Sequence, residues 1–436
     1  MRNKRNIAIL SICLMIAGLY VISGKNTGEP KEVTAYYEGL KSEPAVNATG
    51  SVIDATANPA TGGVIIVPTI KPDDDVVPTA KPSQTPGVKK NGFVTTAKGK
   101  YYYKNGVALK EKWLTVNQKT YYFRKNGMAA TGIYKINGVI YLFNKNATLA
   151  KNRWIVVDGK KYYAKENGQA AIGYKNINNK GYYFESNGAM HVGFININGK
   201  KYYFGKNGVK VSGKKKIGKY MCYFKKTGAL YRKIDTRKKL VALTYDDGPS
   251  KNTNTILKVL KKYDSTATFF EVGNRIASYK SIVKKIDKMG CEIGNHTYEH
   301  KILSGCSKAE IRKQIDQTNS ELRKVIGKKT IITRPPGGNH NKTIDSIIKT
   351  PIVLWSVDTL DWKNRNSAYV TNAVLKNVKD GDIVLMHDLY ESTADASKKI
   401  IPALVKRGYQ LVTVSELSDC RKAMRNGETY SSFPLK

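Results

Sequence analysis

Val241-Ala-Leu-Thr-Tyr-Asp-Asp-Gly-Pro-Ser250 is the stretch on which the reading of this chain turns. Its apolar run, from Leu240 to Leu243, is bounded by Gly248-Pro249, the profile of a buried strand that ends in a loop. Asp246 and Asp247 stand where the strand stops. Neighbouring residues at a strand end point in different directions, so one carboxylate can bind a metal while the other faces a substrate. Alone, an Asp-Asp-Gly sequence reads as a solvated turn. Further polar clusters lie downstream: His296-Thr-Tyr-Glu-His300, Arg334-Pro-Pro-Gly-Gly338, Asp358-Thr-Leu-Asp-Trp362 and Ile383-Val-Leu-Met-His-Asp388.

From about residue 238 onward, strand-like runs alternate with amphipathic helical stretches. The strand candidates are Val241–Tyr245, Ala267–Val272, Cys291–Gly294, Ile331–Arg334, Ile352–Val357, Ile383–Met386 and Gln410–Val414. Helical patterns cover Thr255–Tyr263, Ile276–Met289, Lys308–Ile326, Thr343–Lys349, Ala368–Lys379 and Ala394–Arg407. This alternation implies a parallel sheet, closed as a barrel or doubly wound, with chemistry at the carboxyl ends of the strands. Every polar cluster named above falls at such an end. His296 and His300 are four apart, and one helical turn would point both imidazoles the same way, about 6 Å apart. Two imidazoles and a carboxylate from another strand end, Asp247, form a common ligand set for a catalytic divalent metal. His191, outside this region, reads as structural.

Upstream the texture differs. Arg2, Lys4 and Arg5 precede an apolar run from Ile7 to about Gly24, the pattern of an export signal or uncleaved membrane anchor over residues 1–24. Residues 25–90 are rich in Pro, Thr, Ala and Gly and read as a flexible linker. From 91 to 232 an aromatic cluster followed by a turn recurs about every 20 residues. Examples are Tyr121-Tyr-Phe-Arg-Lys-Asn-Gly127, Tyr182-Tyr-Phe-Glu-Ser-Asn-Gly188 and Tyr202-Tyr-Phe-Gly-Lys-Asn-Gly208. The Asn-Gly pairs mark β-hairpins, and hairpins this short must stack to bury their aromatics, which makes a solenoid. Residues 419–436 read as a C-terminal tail.

The chain has 436 residues and a formal net charge of +40. That charge suits anionic cell-wall polymers. The export signal argues against nucleic acid as a partner. Five cysteines without a C-x-x-C pair make a thiolate zinc site and a disulfide framework poor readings.

Residues 238 to 418 resemble the polysaccharide deacetylase domain of carbohydrate esterase family four, whose five motifs are present in order. The resemblance implies a distorted (β/α) barrel and metal-dependent removal of acetyl groups from a glycan. It implies Asp246 as general base, Asp247, His296 and His300 as metal ligands, and Arg334 as the partner of the base. Asp361 would orient His387, the general acid. The backbone N–H of Gly337 would receive the oxyanion, while Trp362 and Leu385 line the groove. Gly337 stands where peptidoglycan enzymes of the family usually carry Tyr. The repeats resemble the cell-wall-binding repeats of choline- and glucan-binding surface proteins, which implies ligand contacts at Trp113, Tyr122, Trp154, Tyr183 and Tyr203.

The expectation is therefore an exported, membrane-anchored, cell-wall deacetylase of N-acetylglucosamine in peptidoglycan. Zinc is the first choice of metal, with cobalt or manganese also suited. Chitin oligomers, poly-N-acetylglucosamine and acetylxylan are alternative substrates. A glycan-binding surface protein without activity is the alternative of another class.

Overall fold

The computed structural model describes residues 91–435. The expected export or anchor segment, 1–24, and the linker, 25–90, lie outside the described residues. Among the described residues no helix is long and apolar enough to cross a membrane.

Residues 91–235 form a row of antiparallel hairpins. Typical pairs are Lys112–Val116 with Lys119–Phe123, Arg153–Val157 with Lys160–Ala164, and Gly193–Ile197 with Lys200–Phe204. The hairpin turns differ from expectation. They precede the aromatic cluster and use Asn137-Gly138, Asp158-Gly159 and Asn198-Gly199, in which both residues have positive φ. That geometry matches the right-handed twist of the paired strands. The Asn-Gly after the aromatics mostly joins one hairpin to the next. There Gly127 alone takes positive φ, and the Asn126 side chain accepts from the N–H of Met128. The exception is Asn105-Gly106, a true hairpin turn between Gly99–Lys104 and Val107–Ala108. In most of the clusters the last residue forms the solenoid core: Phe123, Phe143, Phe184 and Phe204 are all at most 1% exposed.

The second part is built on parallel strands. In chain order they are β1 Leu240–Gly248, β2 Thr268–Glu271, β3 Glu292–Asn295, β4 Ile352–Val353, β5 Val357–Asp358, β6 Ile383–His387, β7 Gln410–Leu411 and β8 Thr429–Tyr430. The helices are α1 Thr253–Lys262, α2 Gly273–Ile276, α3 Lys280–Lys288, α4 Lys308–Ile326, α5 Lys342–Ile348, α6 Asp361–Asn364, α7 Ser367–Asn377, α8 Glu391–Lys406 and α9 Val414–Cys420. The sheet order is β3-β2-β1-β6-β5, with β7 also pairing β1. Single parallel bridges, Asn295 to Thr333 and Thr333 to Ile352, carry the sheet past β3 to β4. Residues 354–356 then lead directly from β4 into β5, at the opposite edge. The two edges are thus brought together, which makes the sheet a distorted (β/α) barrel.

Several boundaries move. The expected strand Ile331–Arg334 is reduced to the bridge at Thr333, because Pro335 and Pro336 cannot continue a ladder. Val414 opens α9 instead of ending a strand, held by a capping box between Thr413 and Glu416. The helical pattern 276–289 breaks into α2 and α3. The repeat array does not stop at 232: Leu230–Asp235 pairs with Tyr220–Phe224. The stretch 419–436 is no tail. α9 crosses its start, β8 pairs with β4, and Tyr430 and Phe433 are buried with Leu240, Ile383 and Val412.

The same core takes in Tyr223 and Ile234 of the last hairpin. Arg232 donates to the carbonyls of Leu411 and Asp264 and to Glu416. Tyr223 and Lys214 both donate to Asp419. The final repeat is therefore continuous with the barrel.

Candidate active site

At the carboxyl end of β1 the ladder to β2 slips between Asp246 and Gly248. Asp247 sits in that bulge with φ 69°. A bulge re-aims the side chain at its extra residue. Asp246 therefore turns to one side and Asp247 to the other.

Asp247 meets the two histidines. Its Oδ1 lies 3.3 Å from Nε2 of His296 and 3.1 Å from Nε2 of His300. The ligand atoms of all three residues lie within 4.8 Å of one another. The expected helical turn is absent, since residues 296–300 form a loop. Left-handed conformations at Thr297 and His300 fold that loop back instead. Asparagine and glutamine side chains secure it: Asn295 accepts from Thr297 N–H, and Gln314 accepts from the N–H groups of Tyr298 and Glu299. His296 is buried, whereas the His300 side chain is 45% exposed.

The donor set fits a divalent cation. Nδ1 of His296 is 2.6 Å from the carbonyl oxygen of Arg334. A carbonyl can only accept, so Nδ1 carries the proton and the Nε2 lone pair faces Asp247. Oδ1 of Asp247 is buried without a hydrogen-bond donor of its own. Without a cation, imidazole N–H groups take the place of those lone pairs: burial pushes the Asp247 carboxyl up, but His296 and His300 outweigh that and hold it well below the usual range, and Asp247 in turn raises His300. Lone pairs from two imidazoles and a carboxylate that converge in this way are relieved by a shared cation.

Asp246 is 2% exposed and faces Arg334. Nη1 of Arg334 donates to Asp246 Oδ1 at 2.7 Å and to Thr244 Oγ1 at 2.7 Å. Its Nε and Nη2 donate to the carbonyls of Val353 and Leu354. Burial lowers the Arg334 pKa and the Asp246 charge opposes this, so the buried pair holds both groups in place.

On β6, next to Asp246 in the ladder, stands His387. Its Nδ1 is 2.8 Å from Oδ1 of Asp361, which is fully buried. Asp361 also accepts from the N–H groups of His387 and Trp362 and from the hydroxyl of Thr393 at 2.6 Å. Burial pulls His387 down, but Asp361, then Asp246 and Asp247, raise it to about 9. Asp358 is exposed and accepts from Leu360 N–H, a turn contact. Leu385 is packed in β6 at 4% exposure, and Trp362 is 48% exposed beside the site. Gly337 has φ 63°, a conformation that suits glycine. His340 is held by Asp345.

Sequence reading overlooked two features. Thr393 supports Asp361 from α8, with no motif to mark it. Glu271 and Asp388, both fully buried, face each other across Gly248, where a Cβ would stand 2.5 Å from Asp388 and 2.7 Å from Glu271. Burial raises both pKa values, with the Asp388 charge adding to the rise at Glu271 and the Asp247 and Asp246 charges adding to it at Asp388.

In the repeats, Trp113 packs with Tyr122, Tyr141 and Phe143. Trp154 packs with Tyr163, Tyr182 and Phe184. Tyr183 contacts His191 and Phe204, and Tyr203 contacts Phe194 and Phe224, so neither joins a tryptophan cluster. His191 is structural, held by Glu185.

A buried carboxylate, a cation cradle and a charged histidine at one end of a β/α barrel are the parts of a hydrolase. A polysaccharide deacetylase family model matches residues 233–350, and a cell wall binding repeat model matches 111–127, 152–170, 172–190 and 192–210. Over 203 residues the chain is 39% identical to a peptidoglycan-N-acetylglucosamine deacetylase of Bacillus cereus, covering 44% of this chain and 93% of that protein. It is 42% identical over 190 residues to the peptidoglycan-N-acetylmuramic acid deacetylase PdaC of Bacillus subtilis, covering 43% of this chain and 41% of PdaC. It is 39% identical over 186 residues to the peptidoglycan-N-acetylglucosamine deacetylase PgdA of Listeria monocytogenes, covering 42% of this chain and 40% of PgdA. The match thus spans less than half the length of PdaC and PgdA. The chain belongs to the polysaccharide deacetylase family.

Proposed function

We propose that this protein is a divalent-metal-dependent deacetylase that hydrolyses N-acetyl groups of a cell-wall glycan, with N-acetylglucosamine of peptidoglycan as its substrate. The supporting observation is the convergence of Asp247, His296 and His300 between the Asp246–Arg334 pair and the His387–Asp361 pair. Asp247, His296 and His300 hold the metal. Two imidazoles and one carboxylate suit zinc, and also accept cobalt or manganese. When bound, the cation polarises the acetyl carbonyl and acidifies water.

The remaining steps belong to side chains and backbone. Asp246, oriented by Arg334, accepts the proton of the attacking water. The Gly337 N–H donates to the oxygen that gains charge. His387 is protonated at neutral pH through Asp361 and donates its proton to the departing sugar nitrogen. An amine leaves badly without that proton. Trp362 and Leu385 bound the groove. Each proton-transfer group contributes roughly 10²–10⁴ in rate.

The repeats hold the enzyme on wall polymer and raise its effective substrate concentration. Trp113 with Tyr122, and Trp154 with its neighbours, are the ligand-facing clusters. The net charge of +40 favours anionic wall polymers over free diffusion. Residues 1–24 export the chain and anchor it at the outer membrane face. The test is acetate release from purified peptidoglycan, with and without a chelator. Chitin oligomers, poly-N-acetylglucosamine and acetylxylan serve as the comparison panel. No acetate from peptidoglycan, or release that is indifferent to the chelator, rejects the proposal.

A further inference from the structure

The groove beside His387 carries a cation that the reaction above does not use. Arg365 follows α6 and is exposed. Its guanidinium carbon lies 3.6 Å from the centroid of the Tyr390 ring. Its Nε donates to the carbonyl of Trp362 at 2.8 Å. The Tyr390 ring centroid is 6.0 Å from that of His387. The ring contact and the Nε bond together hold the guanidinium in place, while its Nη groups make no hydrogen bond among the described residues. Lys301, next to His300, differs, since Glu299 and Glu310 both engage it.

A guanidinium held over a ring, with neither Nη group hydrogen-bonded among the described residues, is preorganised for bidentate pairing with a carboxylate. His387 acts at the nitrogen on C2 of an acetamido sugar. In an alternating wall glycan, the N-acetylglucosamine that reacts is flanked by sugars whose C3 oxygen carries an acidic ether, or a peptide attached to it, and that flanking group supplies the nearest carboxylate. Building on the deacetylase reading, we infer that Arg365 is a specificity-determining residue that pairs with a carboxylate of the substrate, so that the site selects carboxylate-bearing N-acetylated glycan over neutral chains.

The test is binding, measured by calorimetry on metal-loaded full-length protein in an Asp246→Asn background. The probes are an alternating N-acetylglucosamine–N-acetylmuramic acid tetrasaccharide, the same chain with its stem peptide attached, and neutral tetra-N-acetylchitotetraose. Arg365→Gln is expected to lower the ratio of acidic to neutral affinity about tenfold to a hundredfold, the worth of a charge-assisted hydrogen bond. Arg365→Lys, which keeps charge and loses the fork, falls between. Whichever acidic probe responds identifies the carboxylate as that of the ether or that of the peptide. Equal weakening for acidic and neutral probes, or an unchanged ratio, overturns the inference. Absence of acetate release by wild-type protein would overturn the deacetylase reading instead, while the affinity ratio still decides the role of Arg365.

Discussion

Nδ1 of His296 donates to the carbonyl oxygen of Arg334, whose own side chain holds Asp246. One residue thus sets the tautomer of a proposed metal ligand through its backbone and the orientation of the proposed base through its guanidinium. The cation cradle and the base share a support.

Asp247→Ala and His296→Ala should each lose the stoichiometric divalent ion, because three convergent donors become two. His300→Ala, at the exposed edge, should retain metal more weakly. Elemental analysis after dialysis against a buffered chelator measures this. Full metal retention in His296→Ala contradicts the ligand assignment.

Asp246→Asn should cut turnover by roughly 10²–10⁴ while sparing the metal. Arg334→Met should also destabilise the fold, by about 3–5 kcal/mol, since it leaves the Asp246 charge buried without its partner. Near-normal acetate release from Asp246→Asn would refute the base assignment, and denaturant unfolding reads the second effect.

The pH dependence follows from His387. Its pKa is raised from 6.5 to about 9, so the proton that it donates is present at neutral pH and lost as pH rises through that value. The same proton links to stability. Its contribution is complete below about 6.5 and disappears as pH rises through about 9. A bound dication offsets the charge of Asp247 and moves the basic limb down. Asp361→Asn removes the main raising partner, so the basic limb of the rate profile should shift to lower pH. Thr393→Val removes a donor that holds Asp361 in place and should lower turnover without moving the basic limb down, with Thr393→Ser restoring it. A profile unmoved in Asp361→Asn would sink the assignment of His387 as acid.

The union of repeat and barrel predicts a stability effect far from the site. Ile234 is fully buried in a core shared with Leu240 and Val412. Ile234→Ala should cost about 2–5 kcal/mol. A barrel truncated at residue 238 should unfold at lower denaturant than one that begins at 213, because it forfeits Tyr223, Arg232 and Ile234. Equal midpoints would show that the last hairpin is dispensable.

The Trp113 and Trp154 clusters are half-open on the solenoid. Replacing both tryptophans with Ala should weaken retention on isolated cell walls in a sedimentation assay while leaving turnover of a short soluble glycan intact. Retention at the wild-type level would assign these clusters to packing alone.

Much of the candidate site is legible in the sequence alone, because its residues stand at strand ends and local patterning marks strand ends. Asp246, Asp247, Arg334 and His387 are in that class. Thr393, Glu271 and Asp388 were not legible as partners, since Thr393 meets Asp361 from a separate helix 32 residues on and Glu271 meets Asp388 only across Gly248. The His296–His300 spacing suggested a helical turn, but the loop gains its shape from Asn295 and Gln314. Sequence periodicity carries no trace of those bonds.

The order of strands and helices, the hairpin repeat and the candidate metal-ligand residues were legible in the sequence itself, through short-range patterning and residue chemistry. Tertiary structure alone decided the bulge that parts Asp246 from Asp247, the carbonyl that sets the His296 tautomer, and the merging of residues 230–235 and 419–435 into the barrel. The reason is physical: periodicity reports which face of an element is apolar, whereas these features depend on which distant backbone and side-chain groups satisfy one another once the sheet has closed.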